Sequence, residues 1–409
     1  MTVNGTFERV CVLGLGYIGL PTSAALAARG FTIHGVEVNP EVVETINAGR
    51  THIVEPELDL LVRAAVESGR LTAHAEPARA DVFMICVPTP INEDKTANLD
   101  YVWSATRQLA GHLEKGNLVL LESTSPACTT ERVAEIIKEE TGFTAGDIFV
   151  AHAPERVLPG RILREVIEND RIVGGIDEAS TEAAATFYEK FVSGRILQTT
   201  SRTAELAKLV ENSFRDVNIA FANELSIICD QLEIDVWELI GLANRHPRVD
   251  ILTPGPGVGG HCLAVDPWFI VELAPDKAQV IRTAREVNEA KPHWVVDRVV
   301  RKAERFKSPS IACLGLSYKP DVDDLRESPA LEIARMLGAS GVGDVWAVDP
   351  FVSEAPEGVT LRSLEEGVDA ADIVVILVGH RAFQRMPRQW LREKVVFDVC
   401  GLFRSHQVD

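Results

Sequence analysis

A glycine-rich turn near the start of the chain restricts the fold more than any other feature of the sequence. The apolar run at residues 9 to 14 predicts a buried strand, residues 17 to 29 a helix and residues 31 to 37 a second strand. Three glycines between the first strand and the helix have the spacing G-x-G-x-x-G, namely Gly14, Gly16 and Gly19. This order predicts the βαβ unit of a dinucleotide-binding sheet.

Each glycine of this turn has a separate role in such a unit. Gly14 allows the tight turn, Gly16 lets the backbone approach a pyrophosphate, and Gly19 permits close helix packing. The helix N-terminus then faces the phosphates. Glu37 ends the second strand, where its carboxylate can accept from both ribose hydroxyls and would repel a 2'-phosphate. The pattern favours NAD over NADP, and the alternative is a turn that only packs a helix.

The βα alternation continues beyond this unit. Further strands are predicted at residues 81 to 87, 117 to 123 and 147 to 152, and helices at 100 to 113 and 129 to 141. Residues 200 to 245 then show a sustained helical period, which predicts long helices between two domains. A second alternation follows at residues 310 to 315, 345 to 349, 372 to 378 and 395 to 400. The fold class expected is α/β, with two Rossmann-like, doubly wound parallel sheets joined by long central helices.

The two halves also resemble one another. Residues 10 to 17 align with residues 311 to 318, and Glu37 and Asp349 end the two second strands. An internal repeat would explain this, although parallel strands in general look alike. The second turn has Pro320 where the third glycine would stand, so we expect no second dinucleotide there.

Charge and cysteine content exclude several classes of partner. The formal net charge of -19 opposes binding to nucleic acid or to an anionic membrane surface. No segment approaches the ~20 apolar residues that span a bilayer, and the first residues do not resemble a targeting segment, so we expect a cytoplasmic protein. The seven cysteines lack C-x-x-C spacing, which predicts neither a disulfide framework nor a metal site.

Cys262 differs from the other cysteines in its surroundings. It follows His261 in a segment dominated by glycine and proline, residues 254 to 268. Such a loop exposes backbone amides to an anionic group and leaves a thiol accessible. His261 is an alternative base for a Cys-His pair, but neighbouring side chains in an extended loop diverge.

These residues resemble the UDP-glucose/GDP-mannose dehydrogenase family, in which a G-x-G-G-x-C-x-x-x-D segment carries the nucleophile. The resemblance covers nearly the whole chain. It includes the glycine-rich turn and the segments at residues 87 to 90, 122 to 124, 154 to 156, 205 to 212 and 319 to 329.

The resemblance implies a four-electron oxidation in which one site uses two NAD in succession. An alcohol becomes an aldehyde, Cys262 adds to it, and a second oxidation leaves a thioester that water cleaves. Lys208 and Asn212 would stabilise the alkoxide and the later oxyanion, and Asp266 would position the lysine and the water. Thr124 and Glu155 would lie near the hydrolytic water, with Glu155 as general base.

Simpler roles for these residues remain open. Lys208 and Asn212 would also suit a solvated helix face, since they lie four residues apart. Asp266 would also suit a turn before Pro267, and Glu155 a structural ion pair with Arg156.

The resemblance also implies two sets of binding residues. The cofactor set is Gly14, Gly16, Tyr17, Ile18, Gly19, Glu37, Pro88, Thr89, Thr124 and Arg326. The substrate set is Glu155, Arg156, Val157, Leu158, Arg161, Lys208, Asn212, Arg248, Gly257, Gly259, Gly260 and Lys319. Arg248 matches a family position that reaches a neighbouring subunit, which implies a homodimer.

On this basis the expected domains are a NAD-binding Rossmann domain at residues 1-200, a central helical dimerisation and catalytic-loop region at 201-305, and a Rossmann-like UDP-sugar-binding domain at 306-409.

The residues that follow the cysteine differ between family members that oxidise different sugars. UDP-glucose members carry Pro-Lys-Asp after the cysteine, whereas this chain has Ala264-Val265-Asp266. This pattern resembles the members that convert UDP-N-acetyl-D-mannosamine to UDP-N-acetyl-D-mannosaminuronate, with UDP-N-acetylglucosamine or UDP-glucose as alternatives. A catalytically inactive protein that binds NAD and nucleotide sugar is an alternative of another class. A single-step dehydrogenase of the hydroxyacid type is disfavoured by the second βα alternation.

Overall fold

The computed structural model describes residues 7–53, 55–157, 160–260 and 262–403. The chain forms two compact units, unit 1 over residues 1–211 and unit 2 over residues 212–409. Each unit contains one β-sheet, as the sequence predicts.

Unit 1 contains an eight-stranded sheet. Its strands are β1 (Arg9–Leu13), β2 (Thr32–Val36), β3 (Leu71–His74), β4 (Val82–Ile85), β5 (Leu118–Leu121), β6 (Phe149–His152), β7 (Arg171–Gly175) and β8 (Ile196–Thr200). The strand order is β3-β2-β1-β4-β5-β6-β7-β8. All neighbouring pairs are parallel except β6 and β7.

Helices cover both faces of this sheet. They are α1 (Gly19–Ala28), α2 (Pro40–Asn47), α3 (Leu58–Glu67), α4 (Asp100–Ala110), α5 (Thr129–Thr141), α6 (Ile162–Glu168), α7 (Glu178–Tyr188) and the first part of α8 (Ser201–Gln231). Successive residues of β1 point into two cores: Val10 and Val12 into one, and Cys11 and Leu13 into the other. This burial on both faces explains why the strand is a continuous apolar run.

Unit 2 contains a parallel four-stranded sheet in the order β10-β9-β11-β12. Its strands are β9 (Ser310–Leu314), β10 (Asp344–Val348), β11 (Ile373–Ile376) and β12 (Val395–Asp398). The helices are α9 (Val236–Ala243), α10 (Asp266–Leu273), α11 (Gln279–Ala303), α12 (Pro329–Ala339), α13 (Leu364–Asp369) and α14 (Arg381–Gln384), with a 3₁₀ turn at Arg388–Leu391. The predicted fold class is confirmed.

The turns that follow β1 and β9 are built alike. Gly14 and Gly315 have φ angles of +93° and +95°, a region that favours glycine. The N–H of Leu15 donates to Glu37 at 3.2 Å, and the N–H of Leu316 donates to Asp349 at 2.7 Å. In each sheet the acidic residue after the second strand therefore holds the turn after the first.

The turn after β9 packs against residues that follow β11. The buried imidazole of His380 lies 3.2 Å from the Asp349 carboxylate, and a Cβ on Gly315 would lie 2.4 Å from Val378. The absence of a second dinucleotide site stays a prediction. Among the described residues, no helix has the length and apolar character needed to cross a membrane.

Candidate active site

The glycine-rich turn contains two glycines required by packing and one that faces open space. A Cβ on Gly14 would lie 2.6 Å from the carbonyl oxygen of Cys86, and one on Gly19 would lie 1.8 Å from that of Gly14. A Cβ on Gly16 would meet no described atom within 4 Å. Close backbone packing within unit 1 therefore accounts for Gly14 and Gly19 but not for Gly16, where the backbone is left open to a ligand such as a pyrophosphate.

The other candidate cofactor residues surround this turn. Ile18 is the N-cap of α1, Tyr17 before it is half-exposed, and Glu37 accepts from the N–H groups of Leu15 and Asn39 at 3.2 and 3.1 Å. These bonds fix the Glu37 carboxylate beside the turn. A carboxylate there is suited to accept hydroxyl groups of a ribose.

Two loops follow β4 and β5 at the same sheet edge. Pro88 and Thr89 lie in the first loop and Thr124 in the second. Thr89 Oγ1 donates to the carbonyl oxygen of Thr124 at 2.7 Å, and Ser123 Oγ donates to that of Val87 at 2.7 Å. The loops are thus joined at the carboxyl ends of adjacent strands, where ligands bind in open α/β sheets.

A buried ionic cluster surrounds Glu155, which follows β6. Arg171 Nη1 lies 2.9 Å from Glu155 and 3.8 Å from Glu122, and the Tyr188 hydroxyl donates to Glu122 at 2.6 Å. Arg171 and Glu155 are only 5% and 8% exposed. The ion-pair partner of Glu155 is therefore Arg171, and from Arg156 it accepts only the backbone N–H, at 2.6 Å.

Burial and charge act against each other in this cluster. Burial raises the pKa of Glu122, and Arg171 opposes that rise. Burial disfavours the charge of Arg171, but the carboxylates of Glu155 and Glu122 hold its pKa above the usual value. Burial and the Glu122 carboxylate both raise the pKa of Tyr188. One guanidinium thus serves two buried carboxylates.

The loop after Glu155 is held by acidic residues that sequence analysis did not single out as site residues. Arg156 pairs with Glu211 at 2.6 Å, so part of its guanidinium is already engaged. Glu55 accepts from the N–H groups of Gly160 and Ile162, both at 2.8 Å, which fixes the backbone on either side of the exposed Arg161. Val157 is half-buried, and Leu158 lies outside the described residues.

Helix α8 contains the predicted lysine and asparagine. Lys208 is half-buried and Asn212 lies one helical turn after it. Asn212 Nδ2 donates to Asp266 Oδ2 at 2.5 Å, and Asp266 is buried at the first residue of α10. The Asp266 N–H donates to the carbonyl oxygen of Cys262 at 2.8 Å, and the Cys262 side chain is exposed. The structure thus brings Asn212, Asp266 and Cys262 together within unit 2, while His261 lies outside the described residues.

The loop before Cys262 requires its glycines. Gly257 and Gly260 have φ angles of +147° and +84°, and a Cβ on Gly259 would lie 2.3 Å from the carbonyl oxygen of Glu327. The Gly255 N–H donates to Asn223 Oδ1 at 2.8 Å. This backbone is therefore fixed closely against its neighbours in unit 2.

A buried network of polar side chains extends from Asn223, which accepts the N–H of Gly255. Asn223 donates to Asn288 at 2.9 Å, Asn288 donates to Asp216 at 2.9 Å, and Arg285 donates to Asp216 at 2.7 Å. Burial raises the pKa of Asp216, and Arg285 opposes that rise.

Three further predicted residues remain, and one of them touches the glycine loop through its backbone: the Arg326 carbonyl oxygen accepts the N–H of Gly260 at 3.3 Å. Arg326 pairs with Asp324 at 2.6 Å, Lys319 is half-buried in the segment after β9, and Arg248 is exposed beyond α9. Their proposed contacts with cofactor, substrate and a neighbouring subunit stay predictions.

Family models match most of the chain. Residues 8–192 match the NAD binding domain of the UDP-glucose/GDP-mannose dehydrogenase family, residues 202–290 its central domain and residues 312–405 its UDP binding domain.

Individual proteins are similar over nearly the full length. The chain is 53% identical to an NDP-N-acetyl-D-galactosaminuronic acid dehydrogenase from Ralstonia solanacearum, over 98% of each chain. It is 52% identical to a UDP-N-acetyl-D-mannosamine dehydrogenase from Campylobacter jejuni, over 92% of this chain and 96% of the relative. A solved UDP-D-ManNAc dehydrogenase from Pyrococcus horikoshii is 41% identical, with a TM-score of 0.90 over 97% and 96% of the two chains.

Proposed function

Because the chain belongs to the UDP-glucose/GDP-mannose dehydrogenase family and is thus an NAD-dependent nucleotide-sugar dehydrogenase, we propose that it oxidises UDP-N-acetyl-D-mannosamine to UDP-N-acetyl-D-mannosaminuronate. The proposal is supported most by full-length relatives and a solved structure that are named for this sugar. The segment Ala264-Val265-Asp266 after Cys262 agrees with it.

The Ralstonia relatives favour a second candidate, a nucleotide-linked N-acetyl-D-galactosamine. The candidate sugars differ in the configuration of ring hydroxyl or acetamido groups. A site that pairs with one configuration leaves its own polar groups unpaired when it binds another.

A panel of four substrates tests the choice: UDP-N-acetylmannosamine, UDP-N-acetylgalactosamine, UDP-N-acetylglucosamine and UDP-glucose. We expect the first to have a kcat/KM about 100-fold or more above the others, since the loss of polar pairing costs roughly 3 kcal/mol. A higher kcat/KM for any other sugar would transfer the proposal to that sugar.

The residues around the glycine-rich turn suit NAD. Gly16 leaves the backbone open to the pyrophosphate, and Glu37 is fixed where it can accept ribose hydroxyls. When bound, NAD accepts one hydride in each of the two oxidation steps.

Cys262 carries the covalent chemistry in this proposal. After the C6 alcohol has been oxidised to an aldehyde, the thiolate adds to the carbonyl carbon and gives a thiohemiacetal. Loss of the C6 hydrogen with its electron pair, together with loss of the hydroxyl proton, leaves a thioester. Attack by water on the thioester carbon releases the carboxylate and returns the thiol. Cys262 is exposed, which agrees with its role as the nucleophile.

Lys208, Asn212 and Asp266 are proposed to stabilise the oxygen that becomes negative. Asp266 accepts one N–H of Asn212, which orients the amide and leaves its second N–H to donate. A donor fixed in this way contributes roughly 3 kcal/mol to transition-state stability. The Lys208 ammonium would add a positive charge from the preceding turn of the same helix.

Glu155 is proposed as the base that activates water, with Thr124 near that water. One carboxylate oxygen accepts from Arg171 and the other from the Arg156 N–H. Each oxygen has a second lone pair, so either can still accept from water. Arg171 is proposed to set the orientation of this base.

Glu37 is expected to determine cofactor choice. We predict a kcat/KM with NAD at least about 100-fold above that with NADP, because the carboxylate repels a 2'-phosphate. Glu37→Ser should reduce this preference by about tenfold or more, whereas Glu41→Ser, an exposed change in the first turn of α2, should not. Steady-state kinetics with both cofactors provide the measurement, and equal turnover by the unaltered enzyme would refute the assignment.

We also propose a homodimer that forms along α8. Phe214, Phe221 and Ile228 are spaced by seven residues and are 68%, 50% and 45% exposed. A row of large apolar side chains at this period is typical of helices that pack against another helix. Arg248, also exposed, would then be available to a neighbouring copy.

Charged substitutions in this row of apolar side chains test the proposed dimer. Phe214→Asp with Phe221→Asp is expected to weaken association by about 100-fold or more, because two buried anchors become desolvated charges. Light scattering coupled to gel filtration measures the mass. Leu60→Asp is the control, since Leu60 is 67% exposed but lies on α3. An unaltered chain that is monomeric at micromolar concentration would contradict the proposal.

A cytoplasmic location is proposed as well. Among the described residues, which include all seven cysteines, no disulfide is formed. Reduced cysteines agree with a cytosolic environment.

A further inference from the structure

A groove in unit 2 lies outside the candidate active site. It has a volume of about 810 Å³ and is lined by β12, by α11 and by the adjoining ends of α8 and α9. None of its described lining residues belongs to the glycine loop at 255–260 or to the segment 316–328 that packs on this loop. The volume is in the range of small-molecule sites.

The lining is strongly basic in a chain whose net charge is -19. It contains seven lysine and arginine residues and three aspartates. The aspartates are already engaged: Asp230 pairs with Arg298 at 2.6 Å, Asp235 accepts from the Trp237 N–H at 3.0 Å, and Asp398 accepts from the Leu402 N–H at 2.8 Å. With seven basic and three acidic side chains, the lining contains four more basic than acidic groups.

Five cations of the lining define what is called here the arginine-rich end of the groove. They come from the end of α11 and from the residues just before β12, and none forms an ion pair with a described residue: Arg301, Lys302, Arg305, Arg388 and Arg392. Like charges brought together without counter-charges repel one another, so this end favours a ligand with more than one negative charge. Arginine side chains in such a cluster are suited to phosphate oxygens.

Two tryptophans, Trp237 and Trp294, also line the groove. The Lys291 ammonium and the Arg298 guanidinium lie 4.0 and 5.1 Å from the centre of the Trp294 ring. Lys291 is buried, donates to Ser226 and has a pKa lowered by burial to about 7. The distance along α11 from Lys291 to the arginine-rich end is about 15 Å at a rise of 1.5 Å per residue. A ligand with an aromatic ring at one end and phosphates at the other matches the tryptophans and the arginine-rich end.

The groove and the loop before Cys262 share the same two helices. Ser226 of α8 lies one turn from Asn223, which accepts the N–H of Gly255. Lys291 of α11 precedes Pro292, whose Cδ would lie 3.4 Å from a Cβ on Gly257. A ligand in the groove would therefore contact the helices that hold the loop.

We propose that this groove is an effector site for a nucleoside diphosphate, with the phosphates at the arginine-rich end and the base at the tryptophans. The ligand alters turnover through the helices that support the Cys262 loop. Binding of the nucleoside diphosphate to the groove does not depend on the proposed function. Only the effect of this ligand on turnover rests on the proposed function.

Calorimetric titration with UDP tests the binding part on the full-length protein without turnover. We expect two UDP per chain for the unaltered protein, one per chain for Arg301→Glu with Arg305→Glu, and two for Arg385→Glu. Arg385 is the matched control because it is exposed and near Arg388 but does not line the groove. Pyrophosphate should bind the groove at least about tenfold more weakly than UDP, since it lacks a base to stack.

Equal numbers of UDP bound by the unaltered chain and by the double variant would overturn the assignment. Equal affinity for UDP and pyrophosphate at the second site would overturn its identification as a nucleotide site. For turnover, UDP should lower kcat at saturating sugar in the unaltered enzyme and not in the double variant. Purely competitive inhibition in both would overturn the effector role while leaving the dehydrogenase function intact.

Discussion

Replacement of Cys262 by serine is expected to lower the rate of complete oxidation by at least about 10³-fold while leaving nucleotide-sugar binding nearly unchanged. A serine hydroxyl is far less nucleophilic than a thiolate, and an ester is cleaved by water less readily than a thioester. The aldehyde formed first would therefore not proceed to the acid. Single-turnover formation of NADH and a separate titration with UDP-sugar measure the two effects.

Cys128→Ser provides the matched control, because Cys128 is also an exposed cysteine but lies at the N-cap of α5 in unit 1. This control is expected to retain turnover within about twofold. A Cys262→Ser enzyme that still forms acid and NADH at the normal rate would remove the thioester from the mechanism.

Replacement of Arg171 by methionine is expected to lower the free energy of unfolding of unit 1 by about 3–5 kcal/mol. The substitution leaves Glu155 and Glu122 buried without their shared cation. Burial already raises the pKa of Glu122, so the loss of Arg171 should raise that pKa further. Denaturant titration followed by circular dichroism measures the loss.

Arg164→Met is the control for this stability change. Arg164 pairs with Glu168 on α6, but its side chain is 76% exposed, so its loss should cost much less stability than the loss of Arg171. Arg171→Lys should recover part of the stability, because it restores the charge without the second donor. Equal stability of the Arg171→Met and unaltered proteins would show that the cluster is not a paired ionic network.

Local patterns were sufficient to predict the parts of the fold that have a local cause. Gly19 is required by a close contact with Gly14 in the same βαβ unit, and the apolar runs of β1, β4 and β5 are buried on both faces. Chain order alone therefore indicated both sheets. The strands β3, β7 and β8 were not predicted. β3 has only four residues, and β8 is an edge strand with polar residues, so neither forms a continuous apolar run.

The contacts of the candidate site depend on residues far apart in sequence. The Tyr188 bond to Glu122 joins residues 66 positions apart, and Asn212 and Asp266 are separated by 54. No spacing rule predicts such pairs, and the resemblance supplied Asp266 and Asn212 but not Arg171 or Tyr188. The sequence gives one indication of the buried ionic cluster, which is that Arg171 directly precedes the apolar residues Ile172 and Val173.

The apolar period of α8 illustrates another limit. The sequence predicted the helix, and residues such as Phe214 and Phe221 contributed to its apolar pattern. In the structure these side chains are 68% and 50% exposed. Periodicity identifies a helix with an apolar face, but it does not show whether that face is buried in the core or exposed on the surface of the chain.

The proposed function requires two successive oxidations of one sugar through Cys262. The amount of NADH formed per mole of limiting UDP-N-acetylmannosamine tests this directly, with the acid product measured in the same reaction. We predict two NADH and one carboxylate per sugar. One NADH per sugar, with the aldehyde as the final product, would contradict the account.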